Sequence, residues 1–357
     1  MSELLTRTDR GLYCEAGGFY IDPWRPVERA VVTHAHADHA RRGMGSYLTT
    51  PEGEPVLRPR MGEEAVIQTA AYGEAVHMNG VTVSLHPAGH ILGSAQVRVE
   101  RRGEVWVVSG DYKLGSDRTC ATFEPVQCQT FITESTFGLP IYRWPDQNEI
   151  FRQMNDWWAA NRAAGKVSVL FAYALGKAQR LLAGADPSIG PIYGHGAVQV
   201  CNEGYRQAGI DLPACEYAGR GERGKDWDGA LVVAPPGARG TPWLRKFRNY
   251  STAFASGWML VRGQRRRRSV DRGFVMSDHA DWDGLLQTVR DTGCERCFIT
   301  HGSRRVMEQY LNSETEVEAH QLETWFEGET DEGSAESDRE STDEELAEAA
   351  NEGAGNE

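Results

Sequence analysis

Four residues able to bind a metal ion fall within six positions in the run His34-Ala35-His36-Ala37-Asp38-His39. Imidazole nitrogens and carboxylate oxygens suit zinc, manganese or iron and need no thiolate partner. In a tight turn, positions i and i+2 can face one ion while i+4 and i+5 face a second. A dinuclear centre needs further donors, and candidates recur in similar settings. His90 lies in Ala88-Gly89-His90-Ile91-Leu92-Gly93-Ser94-Ala95, and Asp111 in Ser109-Gly110-Asp111. His279 sits in Ser277-Asp278-His279-Ala280-Asp281, and His301 in Ile299-Thr300-His301-Gly302. His77, His86, His195 and His320 lack such settings and read as surface or core histidines. A bound divalent ion lowers the pKa of water from about 15.7 to about 7, and a pair of ions also neutralises a phosphate. That chemistry is metal-assisted hydrolysis.

The elements that must position these residues are short strands. Arg29–Thr33 is a β-branched run that delivers the chain into His34. Val81–His86 alternates and then breaks at Pro87-Ala88-Gly89, while 96–100 and 104–108 flank a hairpin turn at Arg101-Arg102-Gly103. That hairpin leads to Asp111, and the strand Thr130–Thr133 leads to Glu134. A metal-binding or acidic residue repeatedly follows the end of a strand, where a rigid sheet presents chemistry. From about Asn148 the apolar period lengthens, and strands alternate with helices to about residue 234, which suggests a small parallel-sheet domain inserted in the chain. Gly176-Lys177-Ala178-Gln179-Arg180 opens one of those helices without the spacing of a Walker A loop.

With 357 residues the chain has room for two domains or one domain with an insertion. The first residues lack the apolar core of a secretory signal, and no apolar run is long enough to span a bilayer, so a cytoplasmic protein without membrane partners is expected. Seven scattered cysteines do not make a disulfide scaffold. Cys294-Glu295-Arg296-Cys297 lacks the second pair that a zinc knuckle needs and reads as two thiols near a buried strand. The net charge of −13 is concentrated at the C-terminus: residues 327–357 hold 13 Asp or Glu and one Arg. The remainder is close to neutral, which leaves room for a local basic patch. The tail has no aromatic residue after Phe326 and reads as disordered. The basic patch is Arg262, Arg265, Arg266, Arg267, Arg268 and Arg272, a phosphate-binding composition.

Taken together, the HxHxDH run, the Gly89-His90 segment, Ser109-Gly110-Asp111 and Thr300-His301-Gly302 resemble the metallo-β-lactamase fold. Glu134, the segment Ser277–Asp281 and His301 resemble the three additional motifs of the β-CASP nucleases. Gly11-Leu12-Tyr13-Cys14, Phe19–Trp24 and Ser256-Gly257-Trp258-Met259 are most similar to the bacterial DNA ligase-associated exonucleases. The resemblance spans about residues 10–326. It implies an α/β fold in which a metallo-β-lactamase αββα sandwich, formed by residues 1–145 and 270–326, carries an inserted β-CASP-like α/β domain at 146–269. The acidic tail at 327–357 lies beyond it. One departure is informative: Artemis-like enzymes lack a histidine at the third additional motif, where this chain has His301, as do the RNA-processing and bacterial branches.

Carried over residue by residue, the resemblance implies that His34, His36 and His90 bind one divalent ion and that Asp38, His39 and His301 bind a second. Asp111 would bridge both, and Asp22 would steady the His34–His39 loop. The ions would be zinc, with manganese as the alternative. His279 would be the general acid, oriented by Glu134, with Asp38 completing the catalytic set. The Arg patch and Lys177 would contact nucleic acid. The expected activity is a metal-dependent DNA exonuclease acting in repair beside a DNA ligase. An RNA-processing endo- or exoribonuclease of the same superfamily remains the close alternative, and a small-molecule metallo-hydrolase the distant one. The inserted domain and the Arg run weigh against the latter, and the full donor set weighs against a catalytically silent binding protein.

Overall fold

A computed structural model describes residues 3–220, 227–261 and 270–324. Arg262, Arg265–Arg268 and the acidic segment 327–357 lie outside the described residues. The chain has a mixed α/β fold with six α-helices among the described residues, and it divides into two compact units. One comprises the chain up to Arg143 together with the chain from His279 onward, and the other is Trp144–Asp278.

The first unit contains two sheets. One has the order β1(Thr6–Arg7)-β2(Leu12–Cys14)-β3(Phe19–Ile21)-β4(Arg29–Val31)-β5(Ser46–Thr49)-β6(Ile67–Thr69). Its first three strands are antiparallel and β3 to β6 run parallel. The other has the order β19(Glu318–Gln321)-β18(Arg296–Ile299)-β11(Thr130–Thr133)-β10(Glu104–Val108)-β9(Ala95–Arg101)-β8(Val81–Pro87)-β7(Val76–Met78). The hairpin expected at Arg101-Arg102-Gly103 joins β9 to β10 in antiparallel register.

Period-2 alternation in β10 shows how the layers form. Trp106 and Val108 face a core shared with Phe19, Ile21, Val31 and Leu48 of the first sheet. Val105 and Val107 face the opposite side, where Leu285 and Val289 of one helix (Trp282–Thr292) and Met307 and Leu311 of another (Arg304–Glu314) cover them. Phe131 and Ile132 in β11 divide in the same way. The second sheet is therefore buried on both faces, and only its strand ends are available for chemistry.

The second unit is built on one wholly parallel sheet, β14(Glu216–Tyr217)-β13(Ile192–Gly194)-β15(Leu231–Ala234)-β12(Val167–Phe171)-β16(Tyr250–Ala255)-β17(Arg272–Phe274). β12 and β15 are buried at every position, as parallel strands covered on both faces must be. The pairing of Arg272–Phe274 with β16 assigns this stretch to the second unit, whereas the sequence reading returns the chain to the first domain at residue 270. Three residues of exposed-to-buried strand carry too little pattern to reveal which sheet they join.

His195 caps the helix Gly196–Gln207 by accepting a hydrogen bond from the Ala197 amide at Nδ1, 3.2 Å away. Burial, with the nearby Lys246 ammonium, pushes its pKa down to about 4. The neutral ring is the folded form, so its contribution is complete above the unfolded pKa of about 6.5 and is lost as pH falls toward 4. That contribution reaches about 3 kcal/mol by linkage. His195→Asn keeps a capping acceptor and removes the titration. Its melting temperature should fall less between pH 7 and pH 4.5 than that of the unaltered protein; equal losses would show that His195 is not responsible.

Candidate metal centre

The loop after β4 is shaped by Asp22, which follows β3 with a left-handed φ of 43°. Its Oδ1 accepts the Thr33 amide at 2.8 Å, and its Oδ2 accepts the Thr33 hydroxyl at 2.6 Å and meets His39 Nδ1 at 2.7 Å. Because the Thr33 hydroxyl donates to Asp22, its oxygen is left to accept from His34 Nδ1, 3.1 Å away. This arrangement fixes the rings of His34 and His39 with Nε2 turned inward, as a partner on the far nitrogen does for a ligating imidazole. The sequence reading anticipates a steadying role for Asp22 but misses Thr33, whose only sequence signal is its place directly before His34.

The remaining donors arrive at the ends of strands in the second sheet. His90 follows β8, where the Ser94 hydroxyl accepts both the His90 and Ile91 amides. Gly89 must be glycine: its φ is +74°, and a Cβ there would lie 2.2 Å from the Lys113 carbonyl oxygen. Asp111 follows β10, and the next amide, of Tyr112, donates to Glu134 Oε1 at 2.9 Å. His301 follows β18 with a φ of 54°, its carbonyl held by the Ser135 hydroxyl. Gly302 then turns the chain at φ +59°, where a Cβ would sit 2.2 Å from Ser135 O. His279 is anchored by its neighbour: the Ala280 amide donates to Tyr112 O at 2.6 Å, and Asp281 caps the helix that begins at Trp282.

These residues converge on Asp111. Its Oδ2 lies 3.4 Å from His39 Nε2, 3.6 Å from His34 Nε2 and 3.8 Å from His90 Nε2; its Oδ1 lies 3.9 Å from His301 Nδ1. His36 Nδ1 stands 3.0 Å from His90 Nε2. Among the described residues, donor atoms within 4.8 Å of one another form four groups: His34, His36, His90 and Asp111; His34, Asp38 and His39; His39, Asp111 and His301; and Asp111, Glu134 and His279. His36 and Asp38 are half-buried, and the others are buried.

The donor set fits a metal on grounds internal to the structure. His34 Nε2, His39 Nε2 and Asp111 Oδ1 are buried without a hydrogen-bond partner among the described residues, which is costly unless a cation satisfies them. Burial holds the His34 imidazole well below its ordinary pKa, with His39 and His90 adding to the effect, and burial also lowers His301. Both rings are therefore in the neutral form that can ligate. Asp111 is raised by burial, but the opposing charges of His39 and His279 win and hold it ionised. For His39, burial lowers the pKa, but Asp111, Asp38 and Asp22 outweigh it and raise it well above the usual range. In the metal-free balance a proton on His39 thus sits against the carboxylates where a cation would bind, and binding would displace it.

Glu134 and His279 form a pair beside the cluster. His279 Nδ1 lies 2.8 Å from Glu134 Oε2 and 4.0 Å from Asp111 Oδ2, and both side chains of the pair are at least 96% buried. Glu134 thus receives one backbone amide and one imidazole, a detail that becomes visible only when β10 and β11 align.

The nucleic-acid contacts expected from sequence fare differently. Lys177 is buried, with 1% of its side chain exposed; its Nζ lies 3.3 Å from Asp278 Oδ2 and over the Tyr173 ring. Arg180 pairs with the same carboxylate at 2.8 Å. The helix expected to contact nucleic acid thus presents Lys177 toward Asp278. Arg272 is exposed, its guanidinium over the Phe274 ring. The other arginines of the run lie outside the described residues. Cys294 and Cys297 are buried and unbridged.

Weakening the support of the loop should weaken metal binding without removing a donor. Asp22→Ala is expected to lower affinity by about 10- to 100-fold, the usual effect of losing an imidazole's orienting partner. Competition with a chelator of known strength measures this, and unchanged affinity would remove the orienting role.

No family model matches the sequence. The chain is 30% identical over 327 residues to a probable DNA ligase of Opitutus terrae, a match covering 89% of this chain and 30% of that protein. It is 26% identical over 181 residues to an RNase J-like protein of Methanocaldococcus jannaschii, covering 44% and 43% of the two chains. Over 118 residues it is 31% identical to the endoribonuclease YSH1 of Saccharomyces cerevisiae, covering 32% and 15%. The chain thus spans less than half the length of each of these relatives. Among solved structures, a protein of unknown function from Enterococcus faecalis shares the fold, with a TM-score of 0.54 at 10% identity over 84% of this chain and 80% of that one. No helix among the described residues is long and apolar enough to cross a membrane. Two of these relatives are named as ribonucleases, and the buried donor cluster of this chain could hold metal ions.

Proposed function

We propose that the protein is a metal-dependent DNA exonuclease that hydrolyses phosphodiester bonds and works beside a DNA ligase in repair. The observation that carries the reading is the convergence of four imidazoles on the buried Asp111 carboxylate, with the Glu134–His279 pair directly alongside. On this reading the first unit is a metallo-β-lactamase domain and the second a β-CASP-like insertion. His34, His36 and His90 would hold one ion, Asp38, His39 and His301 would hold a second, and Asp111 would serve both. The ions are zinc, with manganese as the alternative; when bound they supply Lewis-acid charge at the phosphate and an ionised water at neutral pH.

The chain's own residues then have distinct tasks. Asp22 and Thr33 hold the rings of His34 and His39 in the ligating orientation. Glu134 fixes the His279 ring through Nδ1, so proton delivery to the leaving oxygen falls to Nε2. Exposed Arg272 and the arginines at 262 and 265–268 supply charge for the nucleic-acid backbone.

DNA is favoured because the similarity to the probable DNA ligase runs over 327 residues, against 181 and 118 for the ribonuclease relatives. Those relatives supply the second reading, an RNA-processing nuclease. Purified protein with Zn²⁺ or Mn²⁺ should be tested on 5′- and 3′-labelled single- and double-stranded DNA and RNA of one sequence. Stepwise shortening of DNA from one end supports the proposal. Internal cuts or a preference for RNA favour the second reading, and no cleavage of either overturns both.

A further inference from the structure

A second feature of the first unit opens directly onto the metal-donor residues. Asp38, His39 and His301 form one wall of a cleft of about 640 Å³ of atom-free space, open to solvent on one side. Its floor is apolar: Leu12, Ile21, Val108 and Ile132 line it from both sheets. Trp24 also lines it, half-buried, with its ring fixed because Nε1 donates to Asp9 O at 2.8 Å and its amide donates to Arg10 O at 3.0 Å. Arg7, Glu323 and Thr324 add polar groups to the lining. An apolar floor with a few polar groups is the usual composition of a small-molecule site.

We propose that this cleft receives the terminal nucleoside of the strand being cut, with its base against Trp24 and the apolar floor. The inference rests on the nuclease reading and adds to it a substrate subsite that would favour strand ends. A nucleobase has an apolar face and polar edges, matching a fixed indole and apolar floor with polar groups around them; stacking on an aromatic side chain is tolerant of base identity. The floor is made of core residues, Ile21 and Ile132 being 2% and 3% exposed, so the cleft is closed at its base. A closed cleft suits a strand end, whose base can enter without the chain continuing beyond it. The shared wall of Asp38, His39 and His301 sets the phosphate that follows that nucleoside at the metal donors.

The test measures binding of deoxyadenosine 5′-monophosphate, deoxyadenosine and inorganic phosphate by calorimetry to the full chain, its Trp24→Ala and Trp24→Phe variants, and Leu322→Trp, which narrows the cleft. Melting curves check that each variant is folded. Trp24→Ala and Leu322→Trp should each weaken the nucleotide and the nucleoside by about tenfold or more, Trp24→Phe should largely restore binding, and phosphate should bind all four proteins alike. Nucleotide binding that is unchanged in both Trp24→Ala and Leu322→Trp overturns the subsite. A parallel comparison of linear and circular single-stranded DNA separates the two readings. If the unaltered protein shortens linear DNA and Trp24→Ala does so equally well, the subsite fails while the nuclease stands. If nothing is cleaved but deoxyadenosine still binds through Trp24, the nuclease reading fails and a nucleoside site remains.

Discussion

Asp111→Ala should abolish turnover and strip metal from the protein at the same time. The Asp111 carboxylate is within 3.9 Å of a ring nitrogen on each of His34, His39, His90 and His301, so it is the anion common to the whole cluster. Removing it leaves buried imidazoles with no shared carboxylate to offset cation repulsion. It also withdraws the charge that, with Asp38, raises His39 above its usual range. Elemental analysis should show fewer ions per chain, and cleavage should fall by about 10³-fold or more, since Lewis-acid stabilisation is worth several kcal/mol and each 1.36 kcal/mol is a factor of ten. Unchanged metal content would refute the bridging assignment even if activity fell.

His279→Ala should separate catalysis from metal binding. If the residue is a general acid, the variant retains its metal and loses about 10²- to 10⁴-fold in turnover. The structure makes this experiment decisive for a reason invisible in the sequence: Asp111, Glu134 and His279 themselves form a group of potential donors within 4.8 Å. Loss of metal along with activity would mean that His279 ligates, and near-normal turnover would remove its role altogether. Glu134→Gln provides the complementary result. The amide can still accept from the Tyr112 amide, which meets Oε1, but no longer places a negative charge beside His279 Nδ1. Turnover should therefore fall, because the ring loses the carboxylate that holds it. Unchanged turnover would contradict the pairing.

Much of the centre was legible because its donors lie in dense or repeated local patterns. His34, His36, Asp38 and His39 occupy six positions, and His90, Asp111, Glu134 and His301 each lie shortly after a strand. The surroundings of Lys177 were not legible for a physical reason. Its sequence neighbourhood, a glycine opening a short helix, is the same whether the helix faces solvent or core, and only the packing around Asp278 turns the ammonium inward. The partner of the strand near residue 270 was hidden for a related reason, since three residues have too few alternations to identify it.

By itself, then, the sequence determined the kinds of donor, their order along the chain and the strands that carry them, because ligand chemistry and strand periodicity are local properties. The tertiary structure alone decided that these donors share one carboxylate and that Asp22 and Thr33 orient two of the rings. It also decided that Glu134 reaches His279 and that Trp24 stands with core residues around a cleft beside His301. Those relations join residues up to 277 positions apart, from Trp24 to His301. Sheet register and packing set such distances, and no local pattern encodes them.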